Sequence, residues 1–424
     1  MSTSAGQADS QAESLELPER ALLLHIGLMK TGTTSLQNAA AALRPELLAN
    51  GVRYPGKTFN HRSAVNDFMG HSWGWGTTPV HGAWRKLRAE IDRDTENRIW
   101  IGHEFGANAD DATAARWREE LGERAHVVVT LRSYGALLPS LWQQMTKEGE
   151  TAGFEPWLRG VLSDEPESEL SSFRDRIDQG RVVSRWAEAF GAQNVTVVVV
   201  DKSTPALLFD AFESMLGLEP GLLSTAKLNG RSSNRGMSLE EAELFRALNK
   251  RMRPQLTWLE YCKWLRDTES VSVLNRRKPG KHDTKLVLPP WAAEVAHTRA
   301  ERYVEQVRES GVRVVGDLAL LGAEVPSSDE ARLSSAVVPI DAAVEAILGV
   351  VRQGRRDEER LAKAREEVSR LEEEAAARRK ADAKAAKVAK PGKSGQSGTT
   401  VADASGRELV RALGSRVKRR VRRG

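Results

Sequence analysis

The chain holds a single cysteine, Cys262. That excludes an intramolecular disulfide framework and any cysteine-rich metal site, and it suits a reducing compartment. Cys262 itself is expected to be a small buried residue. No apolar run approaches the roughly 20 residues needed to cross a bilayer. The opening stretch, MSTSAGQADSQAESLELPER, has neither the basic start nor the apolar core of a secretory signal. Residues 1–19 are therefore expected to be a disordered N-terminus, and the protein cytoplasmic. An excess of one charge is also missing, with 63 Lys and Arg against 58 Asp and Glu. The last 24 residues carry eight basic residues against Asp403 and Glu408, a local +6. Taken from the net +5 of the whole chain, this leaves −1 for residues 1–400. The basic character belongs to the tail, so the body lacks nucleic-acid-binding electrostatics and nucleic acid is an unlikely partner. Internal repeats are absent too.

What is present is 40% hydrophobic residues in 424, enough for a substantial core. One stretch stands out, Arg20–Gln37, RALLLHIGLMKTGTTSLQ. Ala21–Leu24 and Ile26 make a short buried-strand pattern, after which the sequence turns abruptly to Gly27, Lys30, Thr31, Gly32, Thr33 and Thr34. A helix is predicted at once, with Thr34 and Gln37 at capping-box spacing and an apolar, alanine-rich body from Leu36 to about Leu48. Strand, glycine loop and helix start form an anion site, because the first-turn N–H groups and the helix dipole point at the loop. Lys30 adds a full positive charge.

Further strands are predicted at Val52–Pro55, Arg98–Ile101, Ala125–Leu131 and Val195–Val200, with a closing piece at Gly311–Leu318. The strand AHVVVTL is apolar almost throughout, as a parallel strand covered on both faces must be. Helical stretches lie between, at Asp110–Gly122 and up to Phe190-Gly191. This alternation predicts a doubly wound α/β fold with a central parallel sheet and ligand groups at the strands' carboxyl ends, where Lys30, Glu104 and Arg132 fall. Additional C-terminal helices follow: Ser238 and Glu241 form a capping box opening one, and Pro290 starts another at Trp291–Ser310. Residues 20–346 are read as one domain. Between Lys57 and Lys86, Trp73 and Trp75 sit among glycines and are either strand core or a platform for a substrate. No histidine pair there has metal-ligand spacing.

The order Lys30-Thr31-Gly32-Thr33-Thr34 departs from the nucleotide P-loop, where both glycines precede the lysine. It resembles instead the 5′-phosphosulfate loop of sulfotransferases that use 3′-phosphoadenosine 5′-phosphosulfate (PAPS), above all the bacterial form His-Ile-Gly-x-x-Lys-Thr-Gly-Thr-Thr-Ser-Leu-Gln. In that family an Arg at a strand end and a Ser eight positions later hold the cofactor 3′-phosphate, which here implies Arg132 and Ser140. A guanidinium fork and a hydroxyl suit phosphate oxygens. Pro139 either starts the helix carrying Ser140 or kinks it. The polar loop at Ser224–Met237 resembles the family's late cofactor loop, making Asn229, Arg231, Ser232 and Arg235 candidates. The resemblance further implies a P-loop-like sulfotransferase fold, PAPS as co-substrate, and no metal. It also implies an acceptor hydroxyl or amine, with carbohydrate or glycolipid as the family-level guess. Lys30 would stabilise the leaving phosphate. A catalytic carboxylate or histidine follows the third strand, where Gly102-His103-Glu104 offers both; the loop type favours Glu104 as base with His103 behind it.

Two other readings use the same residues. A nucleotide kinase or NTPase would place ATP in the loop and a metal on Asp201, at the end of Val195–Val200. A non-catalytic adaptor would act through its tail. Residues 347–382 read as a charged helix, solvated or weakly coiled-coil, with Leu361, Ala364, Val368, Leu371 and Ala375 at heptad-like spacing. Residues 383–400 are a flexible linker. In residues 401–424, Leu413, Val417 and Val421 recur among arginines, so an amphipathic helix on the inner, anionic face of a membrane is expected.

Overall fold

Runs of Leu, Ile and Val with no polar alternation can only be satisfied between two covering layers, and the chain builds such a sheet. The structure is a computed structural model that describes residues 14–388 apart from 73, 166–169, 202, 227–234 and 330–332. Its strands are β1 (Leu22–His25), β2 (Val52–Arg53), β3 (Arg98–Gly102), β4 (Ala125–Leu131), β5 (Val195–Val199) and β6 (Arg313–Val315). Every pairing is parallel, in the order β2-β3-β1-β4-β5-β6. β1 thus lies between β3 and β4, and the connection from β3 to β4 must cross it. Loops leaving the carboxyl end of β1 open at this crossover, the point where open α/β sheets bind ligands.

Alternate residues serve opposite faces. Leu22, Leu24, Ile99, Ile101, Val127 and Val129 pack with Trp117 and Trp186, from helices Asp111–Leu121 and Gln179–Phe190. Leu23, Trp100, Val128 and Val198 pack with Leu36 and Phe212 on the other face. The expected single helix Leu36–Leu48 is two helices, Thr33–Ala42 and Arg44–Ala49, because Pro45 can begin a helix but cannot donate to a continuing one. The capping box at Thr34 and Gln37 does not form. Gly32 caps the first helix without a side-chain bond, and Gln37 is used elsewhere.

Beyond the sheet, helices Tyr134–Lys147, Leu239–Met252 and Pro290–Glu309 share a second core with Phe154 and Trp157. The predicted capping box at Ser238 and Glu241 is present. Glu241 also lies at the centre of a buried ionic cluster. Arg277 donates to it at 2.8 Å and to both Asp283 oxygens at 2.8 Å, while Arg235 donates to it at 2.7 and 2.8 Å. Ser238 Oγ donates to Asp283 at 3.1 Å, and Thr284 is held by Glu240. The rim Arg235–Ser238 is thereby locked to the strip Asp283–Leu288.

From Arg356 onward the described residues form a separate compact unit, which holds residues 356–388 of helix Ile340–Val388. Leu361 and Val368 are exposed on it. Residues 383–388, expected to open the linker, continue this helix instead, while 389–400 and the tail 401–424 lie outside the described residues. No helix among the described residues is long and apolar enough to cross a membrane.

Removing Glu241 would take from Arg235 its bidentate carboxylate and leave the buried Arg277 with Asp283 and Asp341 alone. Glu241→Ala is expected to lower unfolding stability by about 3–5 kcal/mol, the scale for breaking a buried ion pair from one side. Denaturant titration measures it, and a loss below about 1 kcal/mol would show that the cluster is solvated.

Candidate functional site

The loop after β1 is fixed by a chain of buried hydroxyls. Thr31 Oγ1 donates to the Leu28 carbonyl at 2.5 Å, so its oxygen accepts from Thr130 Oγ1 at 2.7 Å. Thr130 in turn faces His25 Nε2 at 3.4 Å. The loop lies so close to β4 that a Cβ on Gly27 would stand 1.7 Å from Thr130 Oγ1. Only glycine fits there. Thr31, expected to touch the cofactor, is instead fully buried with its hydroxyl turned into this brace. Lys30 takes the left-handed conformation at φ 68°, uncommon without a glycine, and Gly32 follows at φ 86° as the helix cap. The chain is thus reversed twice around Thr31, directing Lys30 outward and the first N–H groups of helix Thr33–Ala42 into the same space.

That space is a cleft of about 1020 Å³. Lys30, Gly32, Thr33, Thr34, Arg132, Ser140, His103 and Glu104 all border it, so the structure brings together every described candidate except Thr31. Arg231, Ser232 and Asn229 lie outside the described residues. Pro139 sits inside helix Tyr134–Lys147, not at its start, and has no N–H to give the Gly135 carbonyl. Ser140 is half-buried, and its only hydroxyl donation among the described residues is a long 3.5 Å bond to the Ala136 carbonyl. Arg132 donates to the Lys30 carbonyl at 3.5 Å, and its own carbonyl is held by Gln179 at 2.7 Å. Burial pulls the Arg132 guanidinium below its ordinary value; burial and then Arg132 do the same for the Lys30 amine. Guanidinium stays charged regardless. Among the described residues, neither Lys30 nor Arg132 has a carboxylate within salt-bridge distance.

Opposite them, the polar groups form one directed line. Asn60 Nδ2 donates to Gln37 Oε1 at 3.2 Å, and Gln37 Nε2 donates to Glu104 Oε2 at 2.9 Å. His103 Nδ1 accepts from the Phe105 N–H at 3.2 Å, which puts the ring proton on Nε2, 3.4 Å from Glu104 Oε2. The one lone pair of His103 is thus taken by the Phe105 N–H, and its Nε2–H stands beside Glu104 without closing a hydrogen bond. Burial drives His103 down to about 4, so the ring is neutral near pH 7. Burial pushes the Glu104 carboxyl upward, but His103, a backbone N–H, Gln37 and His25 outweigh it and hold the carboxyl below its ordinary value. Glu104 is consequently an ionised acceptor at neutral pH with part of its surface open to the cleft.

Several groups carried no legible signal. Gln37 reads as a capping residue, and Asn60 stands in an irregular segment. Gln143 grips the backbone of Met237 with both amide atoms at 3.0 Å, joining the helix that follows Arg132 to the rim. Lys147 lies one heptad beyond Ser140 on the same helix face, a spacing that would have identified it. Conversely, Trp75 is not on the cleft. It packs against Trp258 and Tyr261, with Nε1 donating to the Leu256 carbonyl at 3.3 Å, and is neither strand core nor platform; Trp73 is outside the described residues. Asp201 is also off the cleft wall, its carboxylate receiving the Ser203 N–H at 2.9 Å and the Ser203 hydroxyl. Cys262 is buried, as expected.

Fold and site together define a parallel α/β protein with a loop carrying Lys30 and a helix N-terminus at the carboxyl end of its central strand β1. Comparison with protein-family models and with curated proteins returns no match. Among solved structures, the chain is similar to a sulfotransferase from Alicyclobacillus acidocaldarius, over 54% of this chain and 91% of that one. Identity is 19% and the TM-score 0.34. At that distance the likeness carries no argument about activity, which rests on the residues above.

Four buried histidines, His25, His61, His103 and His126, are each driven by burial from 6.5 to about 4. Lowered histidines leave the native state binding fewer protons than the unfolded chain once the pH is below 6.5. Stability is therefore fully present above that value and lost as pH falls toward 4, at up to about 1.4 kcal/mol per pH unit for each ring. Urea midpoints between pH 7 and pH 5, above the range where carboxylates titrate, should fall steeply. A flat profile would mean that the rings are charged in the folded protein.

Proposed function

We propose that the protein is a sulfotransferase that moves a sulfuryl group from PAPS to an acceptor hydroxyl or amine. One observation carries the reading. Lys30 and Arg132, two cations without carboxylate partners, share a cleft with a helix N-terminus, and an ionised, hydrogen-bonded carboxylate borders the same cleft. The donor set fits a ligand with two separated oxyanion groups, and it leaves Glu104 for proton chemistry. Off the cleft and bound to its own loop, Asp201 gives no support to the nucleotide kinase alternative.

PAPS supplies an activated sulfuryl group, whose sulfur bonds to the acceptor oxygen or nitrogen as its bond to the 5′-phosphate oxygen breaks. Lys30 and the N–H groups at Thr33 and Thr34 neutralise charge growing on that phosphate, which is the larger share of catalysis where little covalent chemistry falls to the protein. Arg132 and Ser140 take the 3′-phosphate. Glu104 accepts the acceptor's proton, held in register by the Gln37 amide at Oε2, with His103 Nε2 3.4 Å from the same oxygen. His103 is a positioning residue.

Thermal shift separates the readings. 3′,5′-Adenosine bisphosphate should raise the melting temperature well beyond AMP or ATP with magnesium, and Arg132→Ala should lose roughly 1.5–3 kcal/mol of that binding. Equal stabilisation by AMP removes the assignment. Glu104→Gln should slow turnover about 100- to 10,000-fold with bisphosphate binding nearly intact, and His103→Asn clearly less. An inactive His103→Asn protein, together with near-normal turnover in the Glu104→Gln protein, would reverse the two roles.

A further inference from the structure

One face of helix Tyr134–Lys147 runs along the cleft, with Ala136, Pro139, Ser140, Gln143, Gln144 and Lys147 at helical spacing. Lys147, at its last turn, has no part in the mechanism above. The charged groups that act on it come from separate elements: Lys30 from the loop after β1, Arg266 from the turn Cys262–Arg266, Arg235 from the rim, and Glu148 just beyond its own helix. Three of these four are cations. Arg235 has Glu241 and Arg266 has Asp267 as carboxylate partners, while Glu148 accepts from Gln144 at 2.7 Å. Lys30 and Lys147 have no carboxylate within salt-bridge distance among the described residues. Glu148 acts on both amines and Glu104 on Lys30, each from beyond ion-pair distance, and an oxyanion held by both amines would supply the close counter-charge that neither carboxylate gives.

We propose that Lys147 and Lys30 grip a single tetrahedral oxyanion from two sides of the cleft. On the sulfotransferase reading, on which this part rests, that oxyanion is the sulfuryl group in transfer, and Lys147 is a catalytic residue that stabilises its equatorial oxygens. Ser140 and Lys147 then divide one helix face between the two ends of the donor. Burial, with Lys30 next, pushes Lys147 down to about 7. In the ligand-free protein the amine is mostly neutral at about pH 8, and an arriving oxyanion makes it take up a proton.

The test uses full-length protein, wild type and Lys147→Met, titrated with inorganic sulfate, 3′,5′-adenosine bisphosphate and PAPS. Calorimetry at about pH 8 in buffers of different protonation enthalpy should show that sulfate binding by the wild type takes up a proton and that the variant's does not. PAPS affinity should fall about tenfold or more in the variant, and bisphosphate affinity by less than about threefold, because only PAPS carries the terminal group. Without ligand, the variant should melt at or above the wild-type temperature near pH 6, where the lysine's charge is uncompensated; a merely structural lysine would lower it. Unchanged proton uptake in the variant, equal weakening of PAPS and bisphosphate, or a lower melting temperature with unaltered affinities would each overturn the proposal. If sulfate binding depends on Lys147 while bisphosphate binds neither protein, the two-lysine oxyanion site stands and the sulfotransferase reading falls.

Discussion

The contact between the β1 loop and β4 is the constraint on which the site depends. Thr31 and Thr130 are joined hydroxyl to hydroxyl, and Gly27 is small enough to let the two segments meet. Because Arg132 follows Thr130 by two residues, whatever fixes Thr130 against the loop also fixes the guanidinium against Lys30. A methyl group at Gly27 would separate them. The closed hydroxyl chain has a second effect: each buried oxygen has its partner, so the loop can hold a left-handed lysine without leaving polar groups unsatisfied.

Charge is treated in two opposite ways in this unit. Along the rim, Arg277 and Glu241 are buried, fully paired and multiply hydrogen-bonded, an arrangement that tolerates desolvation only while every member is present. Inside the cleft, Lys30 and Arg132 have no carboxylate within salt-bridge distance among the described residues. The paired cluster ties the rim Arg235–Ser238 to Asp283. Cations held close together form a preorganised anion site, the condition under which electrostatic stabilisation is greatest.

The acid–base side of the cleft is governed by hydrogen-bond direction more than by charge. Buried rings at His25, His61 and His103 are neutral near pH 7, which leaves Glu104 as the ionised group among them. The Phe105 N–H decides which nitrogen of His103 carries its proton, and Gln37 orients the carboxylate from the opposite direction. A glutamine at the second turn of helix Thr33–Ala42 thereby joins the helix after the β1 loop to Glu104.

The sequence by itself determined the sheet and its ligand end. Continuous apolar runs at Leu22–Leu24, Ala125–Leu131 and Val195–Val199 can be buried only between two layers, and glycine, lysine and threonines directly after a strand have few other uses. Lys30, Gly32, Arg132, Ser140 and Glu104 were legible because each sits at a strand end or a fixed helical interval from one. Only the tertiary structure decided what lies across the sheet. Thr31 turned inward because its partner Thr130 is on a strand 99 residues away, and Gln37 left its predicted cap because its oxygen accepts from Asn60 and its amide N–H goes to Glu104, 67 residues on. Trp75 joined Trp258 and Tyr261 instead of the cleft. Local pattern fixes which groups are exposed from each element. Which groups meet depends on strand order, and parallel strands β1, β3 and β4 bring together residues that no local window contains.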